Sequence, residues 1–162
     1  MYSASELARY ALSEFERGIE GVTDDEAQVR VTKADGSQMN AISWIVAHIA
    51  WHWLRVGNRA TQVSEGDRTL SGANADPTPP PMKVALRRLS SAKASVSWAD
   101  DAGSDILSRS GGRESVGTAL MRVVLHTWFH IGEINAIRQM LGHDEIVYVG
   151  EMKDRLEWRN DA

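Results

Sequence analysis

Four of the five histidines in this 162-residue chain occur as two pairs with the same spacing. His48 and His52 form one H-x-x-x-H pair, and His126 and His130 form the other. On an α-helix, residues four positions apart lie on one face with Cβ atoms about 5–6 Å apart. Two imidazoles at that spacing can bind one ion at metal–nitrogen distances of about 2.0–2.1 Å. The two pairs therefore predict a metal site that is built by two helices.

The absence of cysteine narrows the chemistry that such a site can perform. It excludes disulfide scaffolds, Cys-rich zinc modules, iron–sulfur clusters and cysteine nucleophiles. No Glu follows His126 directly, so the zinc-protease motif is absent, and the repeated Glu-x-x-His elements of di-iron bundles are absent too. The remaining prediction is a mononuclear, histidine-rich site with open positions for water or substrate.

An alternative interpretation is that these histidines serve only packing or hydrogen bonding. One pair at this spacing arises by chance fairly often, whereas two pairs on two predicted helices are less easily explained. Both pairs lie among apolar neighbours, in SWIVAHIAWHW and LHTWFHIGEI. Burying an imidazole without a partner is costly, so these surroundings favour a metal ion or a strong hydrogen-bond partner.

Three further residues are candidates for the same site. Glu133 lies three positions after His130, where it can orient a ligand, bind the metal or act as a catalytic base; it can also be a surface acid. His52 can be a fourth ligand, a proton-transfer group, or a residue turned to the subunit surface. Trp44 precedes His48 by one turn, so we expect it to line a pocket and contact a bound cofactor.

Apolar residues at helical period predict the elements that must position these side chains. Four long helices are expected, over about residues 3–22, 40–60, 82–98 and 115–141. Ser3 and Glu6 have the spacing of a capping box at the first helix. Asn40 is the predicted N-cap of the second helix. Ser115 opens the fourth helix and Gly142 is its predicted C-cap.

The remaining segments read as connections within one domain over residues 1–162. Thr61 to Pro81 is polar and ends in PTPPP, which predicts a long crossover loop. Residues 104–113 are expected to be an irregular linker, and the tail from His143 is expected to pack across the bundle or a partner subunit. No segment predicts a strand, so the fold class is all-α, a bundle of four helices.

Charge and hydropathy limit the partners of the protein. The net charge is −4 with acids and bases interspersed, so we do not expect nucleic-acid binding. No apolar run reaches the roughly 18–20 residues of a membrane span. The first residues carry acids in an amphipathic pattern rather than a basic start and an apolar block, which predicts a cytoplasmic location.

Three segments resemble a known family, the DinB/YfiT-like superfamily of metal-dependent enzymes. The segment GVTDDEAQVR is similar to the family's turn after its first helix, and NAISWIVAHIAWH is similar to its second-helix signature. The most specific match is SVGTALMRVVLHTWFHIGEINAIRQMLGH, which resembles the fourth-helix signature with two histidines. With the tail segment YVGEM, the resemblance covers most of the chain.

The resemblance implies an up-down-down-up four-helix bundle that is frequently a homodimer. It also implies a divalent metal on three histidines, and the matching positions here are His48, His126 and His130. Zinc, nickel and iron are the expected ions, because imidazole ligands suit each of them. Glu133 occupies a place where relatives carry Gln or Glu, so the resemblance alone assigns it no base role.

Characterised relatives include S-transferases that join bacillithiol or mycothiol to electrophiles. The resemblance therefore implies a transferase in which a metal-bound thiolate attacks an electrophilic or toxic small molecule. Glu133 or His52 would help to remove the proton of the thiol. Two other functions fit the same residues, namely a hydrolase that uses metal-bound water and a non-catalytic, stress-associated metal-binding dimer.

Overall fold

The computed structural model describes residues 2–61, 77–100, 103–110, 113–147, 150–153, 155 and 156. Within these residues the chain forms five α-helices and no strand, which confirms the all-α class. The helices are α1 (Ala4–Gly18), α2 (Ile42–Thr61), α3 (Met82–Ser95), α4 (Ser104–Ser108) and α5 (Val116–Met140). Two 3-10 turns, Glu26–Gln28 and Val96–Ala99, follow α1 and α3.

The predicted caps of α1 and α5 are confirmed. Ser3 Oγ accepts from the Glu6 backbone N–H at 3.2 Å, and the Glu6 carboxylate accepts from the Ser3 N–H at 2.7 Å. Ser115 Oγ likewise accepts from Thr118 N–H at 3.1 Å. Gly142 follows the end of α5 with φ +92°, a conformation that favours glycine. These local hydrogen bonds satisfy donors that a helix end leaves unpaired.

The start of α2 differs from the prediction. The helix begins at Ile42, so its N-cap position falls on Ala41 rather than on Asn40. The side chain of Asn40 reaches α5 instead, where its amide donates to Glu133 Oε1 at 3.1 Å. The described hydrogen bond of this side chain is thus a long-range one, and a hydrogen bond to a carboxylate is stronger than one between neutral groups. The predicted end of α2 is correct to within one residue.

The prediction of an irregular linker over residues 104–113 was wrong for α4. This single-turn helix packs on the start of α5, where the Leu107 carbonyl would lie only 3.2 Å from a Cβ at Gly117. The five residues of α4 are too few to show a helical period in the sequence. The close contact also depends on Gly117, which belongs to α5 and therefore gives no local signal for α4. The third helix begins after the prolines as predicted, and most of the predicted crossover loop, residues 62–76, lies outside the described residues.

One hydrophobic core joins the four long helices. Helix α2 packs against α3 and α5, and α1 packs against α5. At the α2–α5 interface, the Trp53 indole N–H donates to Thr127 Oγ1 at 3.0 Å, and the Thr127 hydroxyl donates to the Val123 carbonyl at 2.8 Å. Trp53 is 1% exposed, and a buried indole needs such a partner. This bond fixes the two helices beside both histidine pairs.

The described part of the tail packs across α1 and α5, as predicted. Arg17 Nη2 donates to the Val147 carbonyl at 2.7 Å, and Ile146 N–H donates to Asn135 Oδ1 at 2.8 Å. None of the described helices is both long and apolar enough to cross a bilayer.

Candidate metal centre

Three histidines converge where α2 meets α5. Each of His48, His126 and His130 offers one ligand atom, and these atoms all lie within 4.8 Å of one another. The Nε2 atoms of His126 and His130 are 3.0 Å apart. A tetrahedral ion with metal–nitrogen bonds of about 2.0–2.1 Å separates its ligand atoms by about 3.3 Å. The cluster therefore fits one ion after small side-chain adjustments.

The two helices expose these imidazoles to different extents. His48 is 7% and His130 is 4% exposed, since both lie on the faces of α2 and α5 that bury the core. His126 is only partly buried and lies at the edge of the interface. The cluster is thus closed on the side of the core and more accessible at His126.

Glu133 and Asn40 fix the orientation of His130. Glu133 Oε2 lies 2.7 Å from His130 Nδ1, while Glu133 Oε1 accepts from the Asn40 amide. When His130 Nδ1–H donates to this carboxylate, Nε2 carries the lone pair and points at His126. Carboxylates that hold metal-binding histidines in this way fix the tautomer and raise the basicity of the ring.

The surroundings hold the nearby titratable groups in forms that suit cation binding. Burial, together with the neighbouring His130 and His48, lowers the pKa of His126 to about 4. Burial alone would raise the pKa of Glu133, but hydrogen bonds from His130 and Asn40 lower it overall. At neutral pH His126 is therefore a neutral imidazole and Glu133 a carboxylate, which is the state that metal binding requires.

His52 lies beside the cluster rather than in it. Its ring centroid is 4.6 Å from the rings of both His48 and His126, yet among the described residues the group of close ligand atoms comprises the other three histidines. Burial, followed by the charges of His48 and His126, lowers the pKa of His52 to about 2. Its role as a catalytic residue stays a prediction.

Two aromatic side chains flank the cluster. Trp44 stacks on His48 with ring centroids 4.7 Å apart and an angle of 15°. The ring of Phe129 lies edge-on to His130 at 5.2 Å and is 69% exposed as a residue. The stacking brings Trp44 against the cluster, while its roles in lining a pocket and in contacting a cofactor stay predictions.

Sequence reasoning missed two residues of this site, Asn40 and Phe129. Asn40 had a local explanation as a helix cap, and no sequence signal connects it with a residue 93 positions later. Phe129 is one of many apolar residues in α5, so its type gave no signal for a place at the site. The fifth histidine, His143, lies away from the cluster, where its Nε2 is 3.1 Å from Glu26 Oε1.

Comparison with known proteins gives one family match. The family model described as the DinB superfamily matches residues 7–134, which is most of the chain and includes the three clustered histidines. No curated protein matches the sequence.

Proposed function

This chain belongs to the DinB superfamily, and we propose that it is a metal-dependent transferase that joins a low-molecular-weight thiol to an electrophilic small molecule. The observation that carries the proposal is the convergence of His48, His126 and His130 at an open edge of the α2–α5 interface. Since the chain contains no cysteine, the sulfur nucleophile must come from a small molecule.

The protein contributes the ligands and their orientation. A zinc, nickel or iron ion bound at the three histidines would stabilise the thiolate form of the thiol. His48, His126 and His130 supply neutral nitrogen donors, and Glu133 holds the ring of His130 in place. Trp44 covers one face of His48 and limits access of water on that side.

Of the two catalytic residues predicted from the sequence, His52 is better placed to transfer a proton. Both oxygens of Glu133 already accept hydrogen bonds, from His130 and Asn40. His52 is neutral, and its ring centroid lies 4.6 Å from that of His126. An imidazole with so low a pKa is a weak base, so the proposal also requires that a bound ion would lower the pKa of the thiol. The thiolate sulfur then forms a bond to the electrophilic carbon, and the leaving group departs with the bonding electrons.

The proposal extends to the topology, domain organisation, location and oligomeric state of the protein. We propose an up-down-down-up bundle, a single domain over residues 1–162, a cytoplasmic location and a homodimer. The homodimer is supported by the outward face of α5, where large apolar side chains are exposed; these include Met121, Leu125 and Phe129.

Metal binding is tested by elemental analysis of protein purified without an affinity tag. We expect about one equivalent of metal in the wild type, lost in His48→Ala and in His126→Ala because a ligand is removed. The matched control is His143→Ala, which removes a histidine outside the cluster and should retain the metal. Metal binding that persists in both ligand variants would contradict the site.

Catalysis is tested by thiol consumption with an activated aryl chloride and either mycothiol or bacillithiol. The proposal expects turnover that depends on metal and disappears in His126→Ala. Turnover of esters or amides without thiol would show a metal-dependent hydrolase instead. Stoichiometric metal with no turnover in either assay would favour a non-catalytic, stress-associated metal-binding dimer.

A further inference from the structure

Arginines gather where the second half of α2 meets the segment before α5, although the net charge of the chain is −4. Arg59 Nη1 donates to Glu114 Oε1 at 3.2 Å, and Arg122 Nε donates to Glu114 Oε2 at 3.1 Å. Arg109 donates to the Ala60 carbonyl at 3.0 Å. The Glu114 carboxylate thus lies between the guanidinium groups of Arg59 and Arg122, and these three side chains together carry a net positive charge.

Two arginines connect this positive region with the histidine cluster. Arg122 precedes His126 by one turn of α5, and Arg55 follows His52 by three residues of α2. The Arg55 guanidinium lies over the Trp51 ring at 5.3 Å, and Trp51 contacts His52 at 4.7 Å between ring centroids. Arg122 therefore lies on the open, His126 side of the cluster, and Arg55 lies beside His52 on the facing helix.

The charge of these arginines reaches the histidines. Arg122 lies about one helical turn from His126 and Arg55 about one turn from His52, and the rings of these two histidines are 4.6 Å apart. The carboxylate of Glu133 lies on the other side, at His130. A ligand at the cluster therefore meets a positive region at one end and a negative one at the other, which favours a single orientation of a charged ligand.

We propose that the guanidinium groups of Arg55 and Arg122 bind a carboxylate of the thiol whose sulfur lies at the three histidines. This inference rests on the proposed function and names its co-substrate class, a thiol acid. One helical turn spans about 5 Å, so the carboxylate lies roughly 5–10 Å from the sulfur.

The geometry of Arg122 suits this task. It contacts Glu114 through Nε and Nη2, a side-on contact that fixes the plane of the guanidinium group. The end-on edge of the group, formed by Nη1 and Nη2, then points away from Glu114. A planar guanidinium that is already oriented binds a carboxylate through two parallel hydrogen bonds with little further ordering.

The test compares thiols that differ only in the carboxylate. Cobalt-loaded, tag-free protein is titrated with mercaptohexanoate and with mercaptohexanol, and sulfur binding is followed by the thiolate-to-cobalt absorption band. A shorter pair, mercaptopropionate and mercaptopropanol, tests how far from the sulfur the carboxylate must lie. We expect the wild type to prefer the longer acid over its alcohol by about tenfold, as one charge-assisted contact would give.

The variants Arg55→Gln and Arg122→Gln should each weaken acid binding and leave alcohol binding unchanged. Arg87→Gln, an exposed arginine of α3, is the matched control and should keep the preference. Equal affinity for acid and alcohol in the wild type, or a preference that survives both variants, would overturn this inference alone. A wild type that binds no cobalt would overturn the proposed function as well.

Discussion

At the residue scale, Glu133 decides which nitrogen of His130 faces the cluster. Its carboxylate lies 2.7 Å from Nδ1, so that Nε2 is left for the ion. Asn40 in turn holds the second oxygen of Glu133. Two successive hydrogen bonds, one between Asn40 and Glu133 and one between Glu133 and His130, therefore connect the segment before α2 with a ligand on α5. They affect metal binding by fixing the orientation of the His130 ring.

Replacing Glu133 should weaken metal binding without abolishing it. We expect Glu133→Ala to lower metal affinity about 10–100-fold, the usual effect of removing a group that orients a ligand. Glu133→Gln should lose less, because its carbonyl oxygen can still accept from His130 Nδ1–H. The affinities are measured by competition with a chromophoric chelator.

Asn40→Ala should lower the affinity by a smaller factor, because Glu133 stays in contact with His130. Gln139→Ala, an exposed change on α5 outside the site, serves as the control. Equal affinities in the wild type and in Glu133→Ala would show that the carboxylate does not position the ligand.

At the element scale, α5 is apolar on its inner face and largely uncharged on its outer face. The buried side carries the core contacts with α1 and α2. The outer side presents Met121, Leu125, Phe129 and Met140, of which Leu125 is 65% and Met140 is 61% exposed. Large exposed apolar patches mark interaction surfaces on soluble proteins. Phe129 also contacts His130, so the patch borders the candidate metal centre.

If this face forms the proposed homodimer, one charge should disrupt it. We expect the wild type to dimerise and Leu125→Glu to be monomeric at the same micromolar concentration, because a buried unpaired carboxylate is costly at an interface. Sedimentation velocity measures both states. Leu86→Glu, at a similarly exposed apolar site on α3, should remain a dimer. A dimer that persists in Leu125→Glu would place the interface elsewhere.

At the scale of the whole molecule, the buried imidazoles make folding depend on pH. The pKa values of His126 and His52 are lowered from 6.5 to about 4 and about 2. In the metal-free protein the unfolded chain therefore binds protons at these residues below pH 6.5 while the folded chain does not. Stability is lost as pH falls through 6.5 and continues to fall toward pH 4, where His126 begins to protonate in the folded state.

We expect the metal-free protein to lose on the order of 1–3 kcal/mol of unfolding free energy over this window through His52, and less through His126, because solvent screens the charge of that partly exposed ring. Urea unfolding between pH 7.5 and pH 4.5 measures the loss. His52→Gln should flatten the dependence, because it removes one proton-binding group, and His143→Gln is the control. An unfolding free energy that stays constant below pH 6.5 would contradict the lowered pKa values.

The sequence alone predicted the four long helices and most of their ends. Apolar period and caps such as Ser3 with Glu6 and Ser115 are local signals, and each acts within one or two turns of the chain. The same local rule placed His126 and His130 on one helix face, and the segments around them supplied the family resemblance that the family match confirms. These features depend on neighbours in the chain, which a sequence displays directly.

The tertiary structure decided how these elements meet. It brought His48, His126 and His130 together, as the family resemblance implied, and left His52 beside them, a distinction that the identical spacing of the two pairs cannot make. It also gave the Asn40 side chain, predicted to cap α2, a hydrogen bond to Glu133, 93 residues away. Such contacts depend on the rotation and separation of packed helices, which are set by the summed fit of the whole core rather than by any local pattern.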